Sequence, residues 1–155
     1  MTAPRIFIDA DACPVKDEVY RVAERYGLNV TLVANSPFRI PLHERIRLVV
    51  VGAGFDEADD WIATNAGAGD IVITADIPLA SRCLKNGARV IGSTGKPFTD
   101  ASIGQALAGR ELSQHLRESG LITGGPAPLG KQDRSRFLQQ LDQDIQAIRR
   151  AAGIR

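Results

Sequence analysis

At 155 residues, with 44% apolar and 24% charged residues, the chain has the size and balance of one ordinary globular domain able to bury its own core. A formal net charge of +1 neither demands nor forbids a polyanionic partner, and 5% aromatics advertise no stacking platform for single-stranded nucleic acid. Two cysteines, Cys13 and Cys83, suggest a reducing compartment rather than a disulfide framework, and no apolar run reaches the length of a bilayer.

With no basic and apolar leader at its start, the chain is expected to be cytoplasmic, with no membrane partner. The first apolar run, Ile6 to Ile8, predicts a buried strand that ends in Asp9-Ala10-Asp11-Ala12-Cys13-Pro14. From Pro14, the residues Val15, Val19, Val22 and Tyr26 fall on one face of a helix, stopped by Gly27. Leu28 to Ala34 predicts a second strand. Asn35 to Arg45, with Pro37 and Pro41, predicts an irregular connection.

Ile46 to Val51 predicts a third strand, and Asp56 to Ala66 a helix whose acidic first turn suits the positive end of its dipole. Ile71 to Thr74 predicts a fourth strand, Pro78 to Asn86 a short helix, and Arg89 to Gly92 a fifth strand. Ser93 to Pro97 reads as a loop. A helix from Thr99 or Asp100 is expected to run through Ile103, Leu107 and Leu112 towards Arg117, with a glycine- and proline-rich loop from Ser119 to Gly130. Phe137, Leu138, Leu141, Ile145 and Ile148 predict a C-terminal helix from about 131 to 152, with Arg149 and Arg150 near its negative end.

Nearly continuous apolar strands alternating with helices describe strands buried on both faces. The expected fold is α/β: a three-layer, doubly wound parallel sheet of about five strands with helices on both faces, in a single domain over 1–155. Such sheets bind ligands beyond the carboxyl ends of the strands, where the strand order reverses. If strands one and four are neighbours there, Asp9 and Asp11 meet Asp76 in one crevice. Asp56 and Asp59, three apart on the helix before strand four, share a face, and Asp59 is placed to look towards the sheet beside Ile62. Asp60 is expected in solvent.

Asp also favours turns and N-caps, so an acid at a strand end can serve local structure alone. Several carboxylates at one site, however, repel unless a cation meets them. Short hard-oxygen ligands suit Mg²⁺ or Mn²⁺, a site that supports hydrolysis of a phosphate ester. Asp9, Asp11 and Asp76 are therefore the catalytic candidates, and Asp9, Asp59 and Asp76 the metal-ligand candidates, with Asp56 as a further acid. Arg39, His43, Arg45 and Arg47 cluster in sequence, as do Lys131, Arg134 and Arg136. Of the basic residues, Arg39, Arg45, Lys96 and Arg134 are the candidates for phosphate contacts with RNA or another nucleic acid.

The words DADACP (Asp9 to Pro14), VAN (Val33 to Asn35), GFDEAD (Gly54 to Asp59), GDIVITADIPLA around Asp70, TGGP (Thr123 to Pro126) and QDRSRF ending at Phe137 resemble, in order, the YaiI/YqxD family of bacterial proteins. That family is similar to PIN domains, small metal-dependent nucleases with a parallel sheet and an acidic pocket. The resemblance implies a PIN-like fold and a Mg²⁺- or Mn²⁺-dependent phosphodiester hydrolase. Asp9 then resembles the first-strand ligand, Asp76 the acid after strand four, and Asp59 the mid-chain acid. Ile77-Pro78-Leu79-Ala80 carries no carboxylate where many PIN domains have a fourth acid, and Asp11 has no counterpart in their pattern.

Two other readings stay open. An apolar strand ending in Asp-x-Asp also resembles phosphatases of the haloacid dehalogenase type, with Asp9 as nucleophile and Asp11 as general acid. Alternatively, the pocket serves a module that binds a nucleotide, RNA or a protein without catalysis. Cys13 is expected to pack or to line the site, and Cys83 to lie in the core.

Overall fold

A computed structural model of the chain describes residues 3–54, 56–105 and 129–153. The first apolar run forms β1 (Ile6–Asp9), followed by a 3-10 turn at Ala10–Ala12 and by α1 (Lys16–Tyr26). Then come β2 (Val30–Ala34), β3 (Ile46–Val50), α2 (Glu57–Asn65), β4 (Ile71–Ile73), α3 (Ile77–Lys85), β5 (Arg89–Ile91), β6 (Pro97–Phe98) and α4 (Lys131–Ala151). Residues 100–105 are helical, in line with the helix expected from Thr99 or Asp100. Its continuation through Leu107 and Leu112, and the expected loop up to residue 128, lie outside the described residues.

The sheet runs in the order β3-β2-β1-β4-β5-β6. The first five strands are parallel, and β6 pairs antiparallel with β5 through Val90–Phe98 and Ile91–Pro97. β6 corrects the expectation of a loop from Ser93 through Pro97, since Pro97 opens this strand. Two residues, one of them a proline without an amide donor, carry no apolar periodicity to read, and only the edge of a sheet tolerates them.

Side chains alternate across a strand, so each strand feeds two cores. Ile6 and Ile8 of β1 and Leu32 of β2 turn to one face, where Val19 and Val22 of α1 and Phe137, Leu141 and Ile145 of α4 cover them. Phe7, Val33 and Val72 turn to the other face, under Ala58 and Ile62 of α2 and Leu79 and Cys83 of α3. This is a three-layer α/β fold of PIN-like kind. Fully burying a side chain of this size contributes about 1.5–3 kcal/mol, so a truncation such as Phe137→Ala at the α4 contact would strip the sheet of its cover on that side.

Helix ends are set locally. Gly27 closes α1 in the left-handed conformation at φ +67°, its amide reaching back to Glu24. Asp76 caps α3, its Oδ1 accepting from the Leu79 amide at 2.9 Å, and Pro78 stands in the first turn where its missing donor costs nothing. Next to the β6 edge, α4 is fastened to β5. Buried Asp144 accepts from Arg89 at 3.2 Å and from Gln140 at 3.0 Å. The turn at Gly95 presses its backbone on the same helix: a Cβ there would stand 2.5 Å from the carbonyl carbon of Arg136.

Candidate acidic site

The strand order reverses between β1 and β4, which leave in opposite directions towards β2 and β5. Asp9 has the same parity as Phe7, so it emerges from β1 towards the α2 and α3 side. Thr74, one residue past β4, stands beside it, and its hydroxyl donates to Asp9 Oδ2 at 2.9 Å. The Asp76 amide donates to the same hydroxyl oxygen at 3.0 Å. One buried threonine thus links the ends of the two strands where the sheet order reverses.

Around this link lies a cleft of about 450 Å³, lined by Asp9, Cys13, Thr74, Asp76, Ile77 and Ser93 among others. Asp9 uses one carboxylate oxygen on Thr74, and Asp76 uses one on Leu79. Among the described residues, the second oxygen of each accepts no hydrogen bond.

The electrostatics record the crowding. Burial pushes the Asp9 carboxyl above its ordinary value; the bond from Thr74 opposes this, and the charges of Asp76 and Asp11 add to it. Asp59, half-buried on α2, is pushed up to about 6, first by burial and then by Asp76, Asp9 and Asp56, with Arg82 opposing. Asp59 therefore belongs to the same negative field, although it does not line the cleft. The Cys13 thiol is raised, chiefly by burial, so it lines the site as a neutral group.

The remaining candidates divide. Asp11 is exposed and accepts from the Asn35 amide at 3.1 Å, tying the turn after β1 to the end of β2. Asp56 is exposed, at φ +68° before α2, with no side-chain cap bond. Asp60 is exposed and pairs with Arg82 at 2.7 Å. Arg134 is taken by Glu18 at 2.9 Å and by the Pro14 carbonyl, so it fastens α4 to the start of α1. Arg39 and Lys96 are exposed and away from the cleft lining. Thr74, Ser93 and Arg82 were not anticipated. A hydroxyl two residues before Asp76 was the only sign of the first, and the other two come into place through tertiary contacts.

Among the described residues, no three His, Cys, Asp or Glu side chains are drawn into a ready metal cage. The donors nonetheless suit one metal class in kind. Mg²⁺ keeps most of its waters and commonly takes only one or two carboxylates from a protein, and Asp9 and Asp76 offer two uncommitted hard oxygens in a negative cleft.

Comparison with known proteins gives one consistent result. The model of a family described as uncharacterised, the YaiI/YqxD family, matches residues 7–147. A UPF0178 protein of Nitrobacter winogradskyi is 59% identical over 155 residues, covering 100% of this chain and 99% of that one. A UPF0178 protein of Rhodopseudomonas palustris strain TIE-1 is 60% identical over 150 residues, covering 96% and 95%. One from Rhodospirillum rubrum is 57% identical over 146 residues, covering 94% and 97%. Among the described residues, no helix is long and apolar enough to cross a membrane.

Proposed function

The chain belongs to the YaiI/YqxD family, and from the geometry of its acidic cleft we propose that it is a Mg²⁺- or Mn²⁺-dependent phosphodiester hydrolase acting on RNA or a related nucleic acid. The observation that carries this reading is the link Asp9–Thr74–Asp76, which holds two carboxylates at the sheet's reversal point with one oxygen of each uncommitted. Asp9 and Asp76 would hold the ion, and Asp59 would deepen the negative field that attracts it. When bound, such an ion supplies an acidic water and neutralises charge developing on a phosphate.

The chain's own residues do the positioning. Thr74 fixes the rotamer of Asp9, and the Leu79 amide fixes that of Asp76, so neither carboxylate must be ordered when a ligand arrives. Asp11 supports this reading over a phosphatase of the haloacid dehalogenase type. That chemistry needs the second acid beside the first at the reacting phosphate, whereas the Asp11 carboxylate is engaged by the Asn35 amide and does not line the cleft.

Calorimetric titration with Mn²⁺ of the wild-type protein and of Asp9→Asn tests the assignment. Saturable binding by the wild type, with loss in the folded variant and parallel loss of Mn²⁺-dependent cleavage of a single-stranded RNA, is the expected result. Equal Mn²⁺ affinity in the two proteins would sink it.

A further inference from the structure

A second polar cleft, of about 350 Å³, opens at the opposite end of the strands, at the residues leading into β1, β2 and β3. Its lining includes Arg5, Asn29, Thr31, Glu44, Arg45 and Arg47. With Arg5 at the start of β1 and Asp9 at its end, four residues of extended chain separate the two clefts by about 13 Å.

The arginines are held in place. Arg5 donates through Nε and Nη2 to buried Asp70, and its guanidinium carbon lies 5.2 Å from the centre of the Phe7 ring. Arg47 donates through Nε to Thr31 at 3.2 Å and lies 6.0 Å from the centre of the Trp61 ring. The Phe7 and Trp61 rings are themselves 6.1 Å apart. Two guanidinium groups thus flank a pair of rings; Arg5 is largely spent on Asp70 and the Asn65 carbonyl, whereas Arg47 uses only its Nε, which leaves its Nη groups without a hydrogen-bond partner among the described residues.

Arg45 is exposed, and neither Arg45 nor Arg47 has an ion-pair partner among the described residues. The local anions are Glu44 and Asp70, and Asp70 is spent on Arg5. Three guanidinium groups against two carboxylates leave the cleft cationic. The residues that line the cleft include no aromatic side chain; Phe7 is buried, and Trp61 is half-buried beside Arg47.

We propose that this arginine cleft is an oxyanion site that takes a phosphate group, separate from the acidic cleft and independent of any reaction there. Planar guanidinium forks match the oxygens of a phosphate in pairs, and Arg45, whose side chain has no partner among the described residues, supplies the donors that close over it.

Trp61 is the chain's single tryptophan and lies against Arg47, so its fluorescence reports on the cleft. The experiment titrates the full chain with inorganic pyrophosphate in the presence of EDTA, against sodium chloride at matched ionic strength. A saturable change with pyrophosphate is expected, weakened about tenfold or more in Arg45→Gln and kept within about twofold in Arg39→Gln and Asp9→Asn. Adenosine monophosphate and an unphosphorylated single-stranded oligonucleotide form further arms. Binding of the first alone assigns a terminal phosphate, and binding of the second assigns a backbone diester. No response, or one that chloride reproduces and Arg45→Gln leaves intact, overturns the proposal.

Discussion

The Thr74 hydroxyl reaches Asp9 Oδ2 across the β1–β4 boundary at 2.9 Å, and this bond opposes the burial that raises the Asp9 carboxyl. Replacing Thr74 by Val keeps the shape and removes both the donor to Asp9 and the acceptor of the Asp76 amide. The Asp9 titration should move further up, and stability should fall by about 1–2 kcal/mol. NMR titration of the Asp9 side-chain carbonyl checks the first outcome and thermal melts the second. An Asp9 titration unchanged in the variant would remove Thr74 from its place in the site.

Burial, with Asp76, Asp9 and Asp56 nearby, pushes the Asp59 carboxyl from an ordinary 3.8 up to about 6 in the folded chain. The folded state therefore holds this proton more tightly than the unfolded state does. The associated stability is fully present below about pH 4 and is lost as pH rises through about 6. In EDTA, Asp59→Asn should be more stable than the wild type at pH 7 by about 1 kcal/mol, a figure discounted because the group is half-exposed to screening solvent. The two melts should converge below about pH 4. A constant difference across that range contradicts the assigned titration.

If the same field attracts a divalent ion, Mn²⁺ should raise the melting temperature at pH 7.5 and lose most of that effect by about pH 5, below the value of about 6 to which the Asp59 carboxyl is pushed. Differential scanning fluorimetry at the two pH values makes the comparison. A Mn²⁺ effect of equal size at both would place the ion elsewhere.

Asp70 is buried and accepts from Arg5 and from the Gly67 amide at 2.9 Å, so it ties the start of β1 to the turn before β4. Asp70→Ala should cost about 1–2 kcal/mol, since it strands the Gly67 amide, whereas the exposed Arg5 guanidinium can turn to water. Urea unfolding measures it. A loss no larger than that of an exposed pair such as Arg82–Asp60 would show that the link is weak.

Two glycines give a contrast within one experiment. Gly95 and Gly69 have similar left-handed conformations, at φ +85° and +84°. A side chain at Gly69 meets open space, whereas one at Gly95 runs into the α4 backbone. Gly69→Ala should cost about 1–2 kcal/mol for its backbone conformation alone, and Gly95→Ala roughly 2 kcal/mol more for the forced movement of α4. Equal melting temperatures would mean that α4 yields freely at this contact.

These relationships differ in how far residues alone disclose them. Ile6 to Ile8, Val30 to Ala34 and Ile71 to Ile73 are almost wholly apolar because both sheet faces are covered, and that continuity made the parallel sheet legible, while its order entered as a condition on which strands one and four are neighbours. The meeting of Asp9 with Asp76 followed from that order. The choice of partners did not. Glu18 captures Arg134 from 116 residues away and removes it from the phosphate contacts expected of it, and Asp11 turns to the Asn35 amide. Thr74 carries no pattern that separates it from any other residue at a strand end. Polar side chains select partners by distances that only the packed chain sets, whereas apolar ones reveal their burial through spacing.

The two sheet edges are unlike. β6 ends one side with two residues, the first a proline that donates no amide hydrogen, while β3 ends the other with five residues and a half-exposed Val50. A growing array of sheets must add strands on both sides, and a proline in a two-residue edge strand disfavours that addition at β6. Among the described residues, an added strand therefore finds five residues to pair with at β3 and only Phe98 as an amide donor at β6.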